Sequence, residues 1–249
     1  MRPNLDNYSC YNATAPVNVS NRYSFVSTKQ FIDDVERSGF ELTQFKQPRQ
    51  GYGLHIMQFS HPAMPKLDGV SVQLYATNSH NGTKPFTLGI AMLRLVCTNG
   101  LVATRKEEQA RIVHVGYAPY KVAAATEQTM LKATEAVRVV GAMQTANVSA
   151  ANLAGFAYAA SKLRRDVKPL LATEFLAVRR DADRGTDLWT IFNRVQESLI
   201  RGGYITQRTD DAFPGRVFAG PKARAITSIG EQLSINQQLW SLAQDYLNK

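Results

Sequence analysis

Near residue 116 the hydrophobic pattern changes period, and that change restricts the fold more than any other feature of the chain. Upstream, apolar residues alternate. Val70, Val72, Leu74 and Ala76 fall on one side of a strand, and Tyr52 to Phe59 reads as another. Phe86 to Cys97 is a long apolar stretch broken by Gly89, and Ile112 to Val115 predicts one more strand. Asn81-Gly82 and Asn99-Gly100 are hairpin turn signals, because both residue types tolerate positive φ. One early helix precedes the strands. Ser27 or Thr28 caps it, Phe31, Ile32 and Val35 share a face, and Gly39 ends it.

Downstream the spacing is helical. Met130, Val137 and Val140 mark a helix over residues 121–146, and Ser149 opens a second that runs to Leu163. Thr186 or Asp187 opens a strongly amphipathic helix with Leu188, Phe192, Val195 and Leu199 on one stripe, stopped by Gly202-Gly203. A last helix covers residues 228–247, with Leu233, Trp240, Ala243 and Leu247 inward. Trp189 and Phe192 lie on or beside a stripe and read as core. The expected fold is α+β: an N-terminal antiparallel sheet with one early helix, then a mostly helical C-terminal half packed on it. Residues 1–25 form an extended arm. Residues 26–249 form a single domain, sheet-rich over 40–116 and helical over 121–249.

Charge narrows the partners. The net charge is +9 and the isoelectric point is near 9.6. Such a balance favours anionic partners, nucleic acid first, although charge that serves only solubility would look the same. Residues 161–249 hold ten arginines, whose planar forks match phosphate and stack on bases. No acid occurs from Ala212 to Gly230, where Arg216, Lys222 and Arg224 sit among Gly and Pro. That stretch reads equally as a phosphate-facing loop and as a solvated one. The candidate nucleic-acid-binding residues are Arg164, Arg165, Lys168, Arg179, Arg180, Arg216, Lys222 and Arg224. Tyr8, Tyr11 and Tyr23 of the arm read as stacking residues or as contacts to a neighbouring subunit.

Candidate chemistry is sparse. His55, His61, His80 and His114 show no helical metal spacing, and no Cys-x-x-Cys occurs, so no metal or cofactor is assigned. Cys97 sits in an apolar run and reads as a small buried hydrophobe before it reads as a nucleophile. The segment from Gly215 to Lys222 fails as a phosphate loop, because Pro221 deletes a backbone N–H and Ala223 replaces the metal-binding hydroxyl. Asp181, Asp183 and Asp187 stand among Arg179, Arg180 and Arg184, which points to local ion pairing. No catalytic constellation emerges, and an enzyme reading rests only on Cys97 with His80 or His114. No apolar run approaches the ~20 residues of a spanning helix. Two cysteines and no export signal predict a reducing compartment, in which the five Asn-x-Ser/Thr triplets are chance matches.

Two blocks resemble a known family. Asn78-Ser79-His80-Asn81-Gly82-Thr83 and Leu93-Arg94-Leu95-Val96-Cys97-Thr98-Asn99-Gly100 are similar to the central signature of the phage and plasmid proteins grouped as domain of unknown function 932. Leu188 to Glu197, Arg201-Gly202-Gly203, Arg224-Ala225-Ile226 and Asn236 to Trp240 fit the C-terminal part of that family. The family's usual aspartate in the first block is Asn81 here. The resemblance implies a phage, prophage or plasmid origin, a bacterial cytoplasmic setting and no established activity. It raises the expectation of a role in replication, recombination or transcription control. The signature residues Asn78, His80, Arg94, Cys97 and Asn99 read as a structural corner of the sheet or as a site. Asn-Gly turn chemistry already gives the corner a local explanation. His80 and Arg94 are expected to hydrogen-bond across the two hairpin ends.

The leading expectation is therefore a homo-oligomer that binds single-stranded nucleic acid, DNA foremost, without sequence preference. A module that contacts a host transcription or replication protein, or a virion assembly, is the alternative. In it the last helix and the arm make the contacts.

Overall fold

A computed structural model describes residues 2–14, 24–49, 51–82, 84–94, 105–114 and 116–248. The fold is α+β, with an early helix, an antiparallel sheet and a mostly helical second half. The chain divides into two compact units. One comprises Met1–Met92, Ala103–Val137 and Ser228–Gly230; the other comprises Leu93–Val102, Arg138–Thr227 and Glu231–Lys249.

The first unit is built on a five-stranded sheet. The strands are β1 (Glu41–Lys46), β2 (His55–Ser60), β3 (Val70–Asn78), β4 (Phe86–Arg94) and β5 (Ala110–Ile112), hydrogen-bonded in chain order. Helix α1 (Thr28–Arg37) precedes them. Ser27 caps it by accepting from the Gln30 amide at 3.0 Å, and Phe31, Ile32 and Val35 are buried. Strand β1 escapes the alternation rule for a physical reason. A register shift between Leu42 and Gln44 moves the pleat by one residue, so Leu42 and Phe45, three apart, both face inward. Gly89 interrupts the apolar run of β4 because the buried Tyr75 ring lies where its side chain would be: a Cβ there would meet the ring at 2.7 Å.

Helix α2 (Pro119–Thr145) carries the chain into the second unit, which holds α3 (Ala150–Ser161), α4 (Leu188–Arg201), the hairpin strands β6 (Ile205–Thr209) and β7 (Val217–Lys222), and most of α5 (Ile229–Leu247). Asp187 caps α4 by accepting from the Thr190 amide at 2.9 Å. The helix is buried almost all round. Trp189 stacks on Phe192 at 5.5 Å, and Phe192 meets Trp240 of α5 edge-on at 6.1 Å. Gln196 donates to Asn236 at 3.0 Å across the same pair of helices. On α5 the buried face is Ile235, Asn236, Leu239, Trp240 and Ala243, while Leu233 and Leu247 are only half-buried. Gly202 ends α4 with a positive φ of 69°, and a Cβ there would strike the Ala223 carbonyl oxygen at 2.4 Å.

The hairpin occupies a stretch that the sequence reads as loop. Its strands hold Gly220 and Pro221, and β6 has one large apolar residue. Proline is tolerated because a two-stranded ribbon leaves β7 one unpaired edge. A third segment runs beside β6. The Leu170 amide donates to the Ile205 carbonyl and the Gln207 amide to the Lys168 carbonyl, both at 2.8 Å. No helix among the described residues is long and apolar enough to cross a membrane.

Candidate functional site

The end of α3 and the chain that follows it face β6 across a cleft of about 590 Å³. Its walls hold Tyr158, Lys162, Arg164, Arg165, Lys168 and Gln207, and no carboxylate lines it. The four cations arise from local geometry. Tyr158 and Lys162 are one helical turn apart on α3, and the Lys162 Nζ lies 4.3 Å from the centre of the tyrosine ring. Tyr158 is 59% exposed. Arg165 and Lys168 project from the turn after the helix and are also exposed.

Arg164 differs from its neighbour. It is 4% exposed and gives every end of its guanidinium to the protein. Its Nε and one terminal nitrogen donate to Asp166 at 2.9 and 3.0 Å, and the two terminal nitrogens donate to the Leu199 and Arg224 carbonyls at 3.1 and 2.6 Å. The Asp166 carboxyl is held below its usual range by the hydrogen bond from Arg164. Arg164 therefore shapes the cleft floor with its charge already matched. Lys162, Arg165 and Lys168 make no ion pair among the described residues, so three positive charges remain for an anion.

The other proposed cations sort differently. One terminal nitrogen of Arg180 donates to both oxygens of the buried Glu197 carboxylate, at 2.8 and 2.7 Å, and its Nε lies 3.4 Å from Asp183. Arg179 lies 3.7 Å from Glu197 and hydrogen-bonds to Ser198 and the Gly202 carbonyl. These two arginines, with Arg201 at 3.1 Å from Glu197, neutralise an acid that burial would otherwise penalise. Asp181 pairs with Arg184 at 3.0 Å. Arg216 lies at the foot of β7, in the β6–β7 turn, Lys222 ends β7, and Arg224 is exposed beyond it. Lys162 and Tyr158 were not legible as site residues; their spacing of four at the end of a helix is the signal that identifies them.

In the first unit the signature residues form a buried polar knot. Asn78 ends β3, and Ser79 and His80 follow it; His55 begins β2 directly opposite Asn78; Thr28 opens α1; all five are fully buried. The His55 Nδ1 donates to the Gly53 carbonyl at 3.1 Å, so its Nε2 accepts from the Thr28 hydroxyl at 2.7 Å. The His80 Nε2 donates to the Cys10 carbonyl at 2.9 Å and lies 2.9 Å from the same hydroxyl. Its Nδ1 has no hydrogen-bond partner. Burial pushes the His55 imidazole down to about 3 and lowers His80 as well. Asn78 accepts from the Ser79 amide at 2.8 Å, and Ser79 bonds to both the amide and the carbonyl of Lys84, at 3.0 and 3.1 Å. Gly82 takes φ 69° in that turn. Each bond closes a corner of the sheet.

His55 and Thr28 escape a sequence reading because each stands alone in its segment. The partners of His80 are Thr28 and Cys10, and the Arg94 side chain lies outside the described residues, as do Cys97 and Asn99. Cys10 donates its thiol to the Gly51 carbonyl, and burial pushes that thiol up to about 12, so it is a poor nucleophile. Tyr8 packs edge-on against Phe45 at 4.8 Å; Tyr23 lies outside the described residues. No group of three metal-ligating side chains occurs among the described residues.

The family described as "Domain of unknown function (DUF932)" matches residues 17–240. Two curated relatives come from Escherichia coli (strain K12). UPF0380 protein YfjQ is 28% identical over 239 residues, and UPF0380 protein YafZ is 27% identical over 241; each alignment covers 92% of this chain and 84% of the relative. No solved structure matches the chain.

Proposed function

Because the chain belongs to the domain of unknown function 932 family, whose description assigns no activity, we propose from its own geometry that it binds single-stranded nucleic acid, DNA foremost, without sequence preference, at the cleft beside α3. The proposal extends to a homo-oligomer in the bacterial cytoplasm that serves replication, recombination or transcription control of a phage or plasmid. The observation that carries it is the set of unopposed charges of Lys162, Arg165 and Lys168 beside the exposed Tyr158 ring. Cations that track a backbone, next to a ring that takes a base, are the two parts of a sequence-tolerant single-strand site. A site that neutralises three phosphates should lose about 20-fold in affinity between 50 and 200 mM salt, from a slope of about −0.7 per phosphate. Fluorescence anisotropy with labelled single-stranded and double-stranded oligonucleotides at those two salt concentrations tests this. Single-strand binding that weakens with salt supports the proposal, and no binding at low salt removes it.

A protein-interaction reading has its own observation. Strand β5 is the outer strand of its sheet, and beside it Val113, just after β5, and Tyr120 of α2 are exposed around a cleft of about 420 Å³. A partner that co-purifies and is released by Y120E, with no oligonucleotide bound by either protein, would favour this reading over the first.

A further inference from the structure

The β6–β7 hairpin carries a row of rings and guanidiniums. The Arg216 guanidinium carbon lies 5.7 Å from the centre of the Phe213 ring. Phe213 meets Phe218 edge-on at 6.0 Å, and the Arg208 guanidinium carbon lies 5.8 Å from the Phe218 ring. Cation, ring, ring and cation thus alternate along one hairpin. Phe213 is 49% exposed, and Arg208 and Arg216 are exposed beside it. A short turn holds the ring out: the Asp210 side chain accepts from the Ala212 amide at 3.0 Å, the Phe213 amide donates to the Asp210 carbonyl at 2.9 Å, and Gly215 takes φ 80°.

The row is continuous with the cationic cleft. Gln207 of β6 lines that cleft, and its amide is bonded to Lys168. Resting on the nucleic-acid reading of the cleft, we propose that the hairpin is a base-stacking platform. An unpaired nucleobase stacks on the open face of Phe213, while Arg216 and Arg208 take the flanking phosphates. The chemistry selects this occupant. An exposed flat ring beside guanidiniums offers a nucleotide both a face for the base and ligands for the phosphate, whereas an acidic peptide would use the arginines and leave the ring unmatched. Bases of a duplex are already stacked on each other, so the platform discriminates single strands from duplexes.

The variant F213W reports on the stack directly, because the two native tryptophans, Trp189 and Trp240, are 3% and 1% exposed. It would be titrated with an oligothymidylate, an oligouridylate, a duplex of the same length and an oligoglutamate, beside wild type, F213A and K162E/R165E/K168E. The expected result is quenching of the new emission by either single strand and not by duplex or oligoglutamate. F213A should bind single strands roughly tenfold more weakly, with duplex affinity unchanged and F213W near wild type. Quenching by only one of the two single strands also supports the platform and shows that it discriminates by the C5 methyl or by the 2′-hydroxyl. Unquenched F213W at saturating single strand, or F213A equal to wild type while the triple cleft variant loses binding, overturns the platform and leaves the cleft reading standing. No binding by wild type overturns the cleft reading itself. Equal quenching by oligoglutamate overturns the nucleobase as occupant.

Discussion

The histidine knot of the first unit and the cleft of the second treat their polar groups in opposite ways. The first buries them and closes them on each other: His55, Thr28, His80, Asn78 and Ser79 are sealed at the end of the sheet, with both histidines neutral. The second leaves them open, with Lys162, Arg165 and Lys168 facing solvent and the neighbouring Asp166 carboxylate bonded to Arg164. A buried polar group costs several kcal/mol unless it is bonded, so the first arrangement specifies a fold. An exposed, unmatched cation contributes little to a fold and much to a polyanion. The bonds of Asn78, Ser79 and His80 are enough to hold a corner of the sheet, and the surface proposed for function lies elsewhere in the chain.

The largest effect that tests this contrast is charge reversal in the cleft. K162E/R165E/K168E should weaken single-strand binding by about a hundredfold or more, since three phosphate contacts become repulsions. Its melting temperature should match wild type, which thermal unfolding checks. Thr28→Val does the reverse. It keeps the shape of the side chain but leaves the His55 Nε2 without its donor, while the His80 Nε2 keeps the Cys10 carbonyl, and it should cost about 2 kcal/mol in urea unfolding with oligonucleotide affinity unchanged. Acid should act on the first unit in the same sense. His55 is neutral when folded, with its value lowered to about 3, and takes a proton near 6.5 when unfolded. Its contribution is therefore intact above pH 6.5 and is lost as pH falls from there towards 3, at about 1.4 kcal/mol per pH unit, with His80 adding in the same direction. Urea midpoints at pH 7 and pH 5.5 would show that loss. The smallest effect separates the arginines of the second unit from each other: Arg179→Gln should change single-strand affinity less than about twofold, because Arg179 belongs to the Glu197 ion network.

Much of the fold is legible from residue order. The caps at Ser27, Ser149 and Asp187 and the stop at Gly202 stand where side-chain chemistry puts them. Strand β1 is hidden by its bulge, which gives Leu42 and Phe45 a spacing of three. The β6–β7 hairpin is hidden because Gly220 and Pro221 are loop residues by type and strand residues only through their pairing with β6. Among the site residues, the sequence separates neither Arg164 from Arg165 nor Arg180 from Arg216. Whether an arginine closes on a buried carboxylate or faces water depends on which distant backbone reaches it. Arg164 meets the carbonyls of Leu199 and Arg224, which no local pattern encodes. The histidine knot has the same limit, since its members come from α1, β2, the end of β3 and the turn after it.

Hydrogen exchange read by mass spectrometry, with and without a saturating single-stranded oligonucleotide, sets the two units against each other in one experiment. The account predicts added protection over residues 158–170 and 205–222, and none over 53–60 and 70–80. Protection confined to the strands that carry His55 and His80, or absent from both units, would contradict it.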